Sequence, residues 1–294
     1  MRRAACHTAV IRYGAGISEG DCTLTTTVAI FSDTHINSTV GLCPPVVNLD
    51  DGGTFRSSPL QRDLWRFWLD YWEQIGKLPG KKVCIINGDL GELDTKRRTN
   101  QIITPNKATI QRIVLDTLAP AFDTCGAFVF IRGTQAHIGK SAWLEEAIAQ
   151  DVDATVRCHK DAPASWYHWR GVVDGVRFDV AHHAAMGRLL HTEKNAGNKI
   201  ASTILYRYCV DMKEKPPHVA VRSHNHRYAD SGGNFETFAV CTPAFTAATE
   251  YVYRIGQENS VADIGGLAFV CDKGKYDLKD YRYKPRKGKL WKAI

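Results

Sequence analysis

Val28-Ala29-Ile30-Phe31-Ser32-Asp33-Thr34-His35 is an apolar run that ends in a carboxylic acid and an imidazole two residues apart. The run reads as a buried β-strand, and the pair at its end reads as two ligands. Residues two apart on extended backbone project to one side, so Asp33 and His35 can aim at a common point. The pattern recurs at His218-Val219-Ala220-Val221, which precedes Arg222-Ser223-His224-Asn225-His226. Between these two, Val83–Ile86 leads into Asn87-Gly88-Asp89, Phe128–Ile131 into Gly133-Thr134-Gln135-Ala136-His137, and Val176–Ala181 into His182-His183. Carboxylates and imidazoles gathered from several strand ends form the donor set of a hydrolytic metal centre.

Outward from these strands the chain alternates strand and helix. A helix is expected from Pro59 to Ile75, its apolar face carrying Leu64, Trp65, Trp68, Leu69 and Trp72. This tryptophan stripe reads as core packing. Further helices are expected over Asn106–Phe122 and Ala196–Met212, and further strands over Phe235–Thr242 and Leu267–Val270. Early βα alternation followed by more strands predicts a layered α/β fold with stacked sheets. No repeat, low-complexity block or linker divides the chain.

The bulk properties fit this reading. The chain has 294 residues, 44% hydrophobic and 23% charged, enough to bury a sizeable core. Its nine cysteines are scattered without a Cys-x-x-Cys pair, which predicts buried thiols in a reducing compartment. No apolar stretch reaches the ~18 residues needed to span a bilayer. Met1-Arg2-Arg3 opens like a secretory signal, but Arg12, Glu19 and Asp21 interrupt the apolar segment such a signal needs. The expected location is therefore the cytoplasm, with no membrane partner. Of the net charge of +7, residues 271–294 contribute nine Lys and Arg against three Asp. Their alternation with Tyr and Trp suggests a tail that binds nucleic acid, against the plainer reading of a solvated terminus.

Singly, each motif is ordinary: Gly-Asp is turn chemistry, His137 a loop histidine, and adjacent histidines on a strand point to opposite sides, so His182 and His183 cannot both enter one site. Together and in this order, the set Asp-x-His, Gly-Asp, Gly-x-x-x-His, His-His and His-x-His resembles the calcineurin-like metallophosphoesterase superfamily over residues 28–245. Arg132–His137, Arg222–Tyr228, Gly41-Leu42-Cys43-Pro44-Pro45 and the tryptophan-rich helix resemble its phage and prophage members in particular.

The resemblance implies a four-layer α/β/β/α sandwich over residues 25–270, between an N-terminal extension (1–24) and the basic aromatic tail (271–294). It implies two divalent metal ions, Mn²⁺ first, with Fe, Zn²⁺ or Ni²⁺ as alternatives. Asp33, His35 and His226 would hold one, His182 or His183 with His224 the other, and Asp89 would bridge them. A metal-bridging hydroxide would attack a phosphate ester, and His137 would serve the leaving group. This sequence departs from the family's Gly-Asn-His, leaving the Asn ligand to be replaced by Gln135, Thr134 or water. Arg56, Arg62, His191, Lys194, Asn195 and Lys199 are placed to reach a substrate phosphate. The expected activity is that of a phosphodiesterase, a nuclease being one form of it. A phosphomonoesterase or protein phosphatase is the alternative enzyme, and a degenerate binding scaffold the non-enzymatic one.

Overall fold

Strand formation starts from residues that have nowhere to go but inside. Val28 and Ile30 project from one face of their strand and Ala29 and Phe31 from the other, and all four are fully buried. In the computed structural model, residues 9–10, 25–94, 101–183, 190–249 and 262–285 are described. The chain begins with β1 (Ala9–Val10) and β2 (Thr26–Phe31), then the hairpin β3 (Val46–Asn48) and β4 (Thr54–Arg56). Helix α1 (Pro59–Lys77), β5 (Lys81–Asn87), α2 (Lys107–Thr124) and β6 (Ala127–Ile131) follow. Next come α3 (Gln135–Ile138), α4 (Trp143–Asp151), β7 (Ser165–Trp166), β8 (His168–Val173) and β9 (Val176–Ala181). Helices α5 (Leu190–Lys194) and α6 (Ala196–Tyr206) precede β10 (Val219–Arg222), β11 (Ala229–Asp230), β12 (Phe238–Cys241), β13 (Ile264–Asp272) and β14 (Lys275–Tyr283).

Two six-stranded sheets result, ordered β14-β13-β2-β5-β6-β7 and β1-β8-β9-β10-β12-β11. The alternation along each strand decides how they stack. Val28, Ile30, Ile85, Val129 and Ile131 of the first sheet meet Trp169, Phe178, Val180, Val219 and Val221 of the second in one core. The opposite face of the first sheet, with Ala29, Phe31, Ile86 and Phe130, packs on α1, α2 and α4. The outer face of the second sheet packs Ala220, Ala239 and Cys241 on α6. The protein is thus the four-layer α/β/β/α sandwich expected from its sequence.

Ser58 caps α1 in a capping box with Gln61, and Pro59 opens the first turn. Its buried stripe is Leu64, Trp68, Tyr71, Trp72 and Ile75, whereas Leu69 turns outward and is 44% exposed. Trp68 Nε1 donates to the Thr117 carbonyl (2.9 Å), tying α1 to α2. Truncating a core tryptophan of this kind costs about 3–5 kcal/mol.

The helix expected over Ala196–Met212 is present, its α-helical part running to Tyr206 and widening into a π-helix over Arg207–Met212. Other expectations are corrected. The supposed tail is strand as far as Tyr283: β14 pairs with β13 along its length, and Tyr283 stacks on Phe67 while its hydroxyl donates to Asp70 (2.8 Å). Its aromatic residues are used in packing, and only 286–294 of that stretch lie outside the described residues. Most of the expected extension over 1–24 also lies outside them, although Ala9–Val10 pairs with β8. Among the cysteines, Cys43, Cys84, Cys125 and Cys271 are buried thiols, as expected, and Cys241 is buried as well, but Cys158 is disulfide-bonded. No helix among the described residues is long and apolar enough to cross a membrane.

Candidate metal centre

β2, β5, β6, β9 and β10 all end on the same rim of the sandwich, because the strands within each of these groups run parallel. The residues just past those ends converge. Asp33, His35, Asp89, His224 and His226 all have positive φ, between 43° and 77°. The reason first given for convergence, extended backbone, is therefore wrong. Asp and His tolerate the left-handed region better than most residues, but each still carries strain of order 1 kcal/mol. That strain is held by a backbone lattice: Asp33 N–H donates to Gly88 O (3.0 Å), His35 N–H to Asp89 O (3.1 Å) and Phe245 N–H to Asp33 O (3.2 Å). Glycine is required where loops meet. A Cβ on Gly133 would lie 2.1 Å from Asp89 N, and one on Gly88 (φ 85°) would lie 2.4 Å from His182 Nδ1.

The side chains form two clusters joined by carboxylates. In the first, His226 Nε2 lies 3.2 Å from Asp33 Oδ1 and 3.3 Å from His35 Nε2. In the second, His182 Nε2 lies 3.1 Å from Asp89 Oδ2, and His224 Nδ1 lies 3.8 Å from the same oxygen. Asp33 Oδ1 is also 3.9 Å from His182 Nε2, so the clusters are contiguous. His182, His183 and His224 bring ligand atoms within 4.8 Å of one another, as do Asp33, His35 and His226.

Ring orientation is set from behind. His35 Nδ1 is bound to Glu92 Oε2 (2.9 Å) and His182 Nδ1 to the Asn87 carbonyl (2.6 Å). Each acceptor requires N–H at Nδ1, which turns Nε2 inward as the atom left to take a metal or a second proton. Asp33 Oδ1 and Asp89 Oδ2 are buried with no hydrogen-bond partner. Buried carboxylate oxygens facing inward-turned imidazole nitrogens call for a cation, a metal ion or a proton. The residues present therefore fit divalent metal ions of the kind that take mixed oxygen and nitrogen ligands.

The electrostatics agree. Burial raises the Asp33 and Asp89 carboxyls, but His182 and the neighbouring imidazoles outweigh it and hold both below the usual carboxylate range. Burial would lower His182, yet Asp89 and Asp33 push it up to about 10. A proton there offsets the charge that a divalent ion would offset instead, so metal and proton compete. His35 is held down by burial, against the pull of Glu92, and stays neutral as a ligand must.

Several sequence expectations change here. His183 does enter the cluster: its Nε2 is 3.2 Å from Thr134 Oγ1, because β9 stops at Ala181 and the alternation rule stops with it. Gln135, one candidate for the missing ligand position, is not among the clustered ligand groups. It is exposed at the start of α3, and Thr134 Oγ1 lies among His182 (3.5 Å), His183 (3.2 Å) and His224 (3.1 Å). Arg62 is turned to the Ser57 carbonyl (2.7 Å), and Arg56 sits exposed on β4. Lys194 and Asn195 are exposed, Asn195 accepting from Asn198, and the side chain of His191 lies outside the described residues.

Glu92 is the residue the sequence reading missed. Its buried carboxylate accepts from both His35 and His137 (Nδ1, 2.9 Å each) and is driven down to about 2 because those bonds outweigh its burial. His137 rises above the ordinary imidazole value: burial opposes this, but the Glu92 bond and Asp89 prevail. An acid placed between Leu90-Gly91 and Leu93, three residues after Asp89, was the available signal.

No protein-family profile matches the sequence, and no curated protein matches it. Among solved structures the chain is similar to a dimetal phosphatase from Danio rerio, with TM-score 0.41, 9% identity, and 86% of this chain and 95% of that one covered. It is similar to Vps29 from Chaetomium thermophilum, with TM-score 0.39, 11% identity and coverage of 86% and 96%. Sulfate thiohydrolase SoxB from Thermus thermophilus gives TM-score 0.37, 12% identity and coverage of 89% and 57%. These likenesses are distant, and the chemistry rests on the side chains.

Proposed function

We propose that this chain is a metal-dependent phosphoesterase of the calcineurin-like type, acting on phosphodiesters. The observation that carries the proposal is the pair of buried oxygens without a hydrogen-bond partner, Asp33 Oδ1 and Asp89 Oδ2, facing the inward-turned Nε2 atoms of His35 and His182. Asp33, His35 and His226 would hold one divalent ion, His182 and His224 with Thr134 or His183 the second, and Asp89 both. Mn²⁺ suits this mixture of carboxylate and imidazole. Two such ions supply Lewis acidity toward phosphate oxygens and bring the pKa of water toward neutrality.

The chain's own residues then do three things. Glu92 fixes the His35 ring by its Nδ1 and so keeps Nε2 directed inward. The same carboxylate holds His137 by Nδ1 and favours its protonated form, so His137 Nε2–H can donate to a departing alkoxide. The His137 ring lies edge-on to His35 with centroids 4.6 Å apart, which puts this imidazole beside the first cluster. Among the described residues, four guanidinium groups near the rim are engaged: Arg132 with Glu146, Arg222 with Asp179, Arg227 with Glu193 and Arg62 with a carbonyl. Rim cations occupied in this way favour a monoanionic diester over a dianionic monoester.

The test is turnover of bis(p-nitrophenyl) phosphate and p-nitrophenyl phosphate, with Mn²⁺ or with chelator. Chelator-sensitive cleavage that prefers the diester is expected. Preference for the monoester would leave the metal chemistry and remove the diester assignment, and chelator-resistant cleavage would contradict the metal reading.

A further inference from the structure

Tyr167 is 70% exposed, the most exposed of the large hydrophobic side chains among the described residues, and it is not loose. It occupies the crossing from β7, the edge of the first sheet, to β8 in the second. Both flanks of that crossing are on the metal rim. Arg132 N–H, one residue before Gly133, donates to the Trp166 carbonyl (2.8 Å), and His168 pairs with Ala181, which immediately precedes His182.

The Arg132 guanidinium lies 4.4 Å from the Tyr167 ring centroid. Arg132 is itself fixed: Nε donates to Ser165 Oγ (2.9 Å), Nη2 pairs with Glu146 (3.3 Å), and its side chain is only 12% exposed. Glu146 is anchored in turn by the backbone N–H groups of Ala164 (2.9 Å) and Ser165 (3.0 Å). One face of the ring is therefore backed by a clamped cation while the other is open to solvent. A flat aromatic surface held in place, on the same rim as the proposed phosphoesterase centre, has a natural complement: a planar π-system attached to a phosphate. Two strand spacings, about 10 Å, separate the ends of β5 and β7. A sugar phosphate carrying its base spans that distance.

We propose that Tyr167, backed by Arg132, is a stacking platform for the base of a nucleotide ester whose phosphate lies at the metal centre. The proposal rests on the phosphoesterase reading and names its substrate class. Tyr167 is a specificity-determining residue here and takes no part in bond breaking.

The test is equilibrium binding of the methyl phosphodiesters of adenosine 5′-monophosphate and ribose 5-phosphate to the whole Mn²⁺-loaded chain, by calorimetry. Stacking of one base predicts that the nucleotide binds about tenfold tighter or more. Tyr167→Ala should abolish that difference and Tyr167→Phe should keep it. Equal affinity for the two ligands in the wild type, binding of neither, or a preference that survives Tyr167→Ala would overturn the platform. Cleavage of bis(p-nitrophenyl) phosphate by the same preparation is scored separately. A protein that cleaves it without any base preference loses the platform and keeps the reaction.

Discussion

The Asp33–His35–His226 cluster and the His182–His183–His224 cluster share a rim but differ in how firmly they are built. In the first, Asp33 and His35 are buried, their backbones are tied to the Gly88–Asp89 loop, and Glu92 fixes the His35 ring. In the second, only His182 is buried and fixed from behind, while the His224 side chain is 36% exposed and His183 is exposed. Its remaining donor is the hydroxyl of Thr134, a weaker ligand than an amide or carboxylate oxygen. Preorganised ligands lose less freedom on binding, so the first cluster should take its metal tightly and the second loosely.

The largest expected effect comes from the residue common to both. Asp89→Asn should weaken both ions and cut diester turnover by about 10³-fold, since several kcal/mol of transition-state stabilisation depend on them. Metal content measured after desalting should fall with it. A variant that lost turnover yet kept two tightly held ions would break the shared-ligand picture.

Glu92→Gln comes next and acts on the first cluster and on His137 beside it, not on the second cluster. A neutral amide cannot support the His137 imidazolium, so turnover should drop about 10²-fold, most for poor leaving groups. The sign of the pH effect follows from His137, whose pKa is raised in the wild type. Activity that needs protonated His137 is present below that pKa and is lost as pH rises through it. In Glu92→Gln this alkaline loss should move to lower pH, as a pH–rate profile would show; an unmoved limb would remove His137 as proton donor.

Thr134→Val sharpens the comparison from the other side. It should weaken only the second Mn²⁺, about tenfold, leaving the first unchanged in a binding isotherm. His183→Ala should have a smaller effect still, because its ring is exposed to solvent. If His183→Ala proved the more damaging of the two, His183 and not Thr134 would be the donor there.

The firm half was also the more legible one in the sequence. Asp33, His35 and Asp89 follow fully apolar strands, and such strands announce both the sheet and the rim where they end. The helices were equally readable, since Leu64, Trp68 and Trp72 repeat at helical spacing. What the sequence hid is geometry that begins where regular structure stops. Past Ala181 and Arg222 the backbone turns left-handed or irregular, so alternation no longer predicts which of His182 and His183 points inward. Glu92 was hidden because its partners lie 57 and 45 residues away along the chain. The strand Lys275–Tyr283 was concealed by its composition, as an edge strand with one solvent-facing side can be rich in lysine and aspartate.

The most direct test of the two-cluster account is a calorimetric Mn²⁺ titration of metal-stripped wild-type protein at two pH values. Two binding steps of unequal affinity are predicted, both weaker at the lower pH because protons hold the same ligands. A single ion per chain, or binding indifferent to pH, would contradict it.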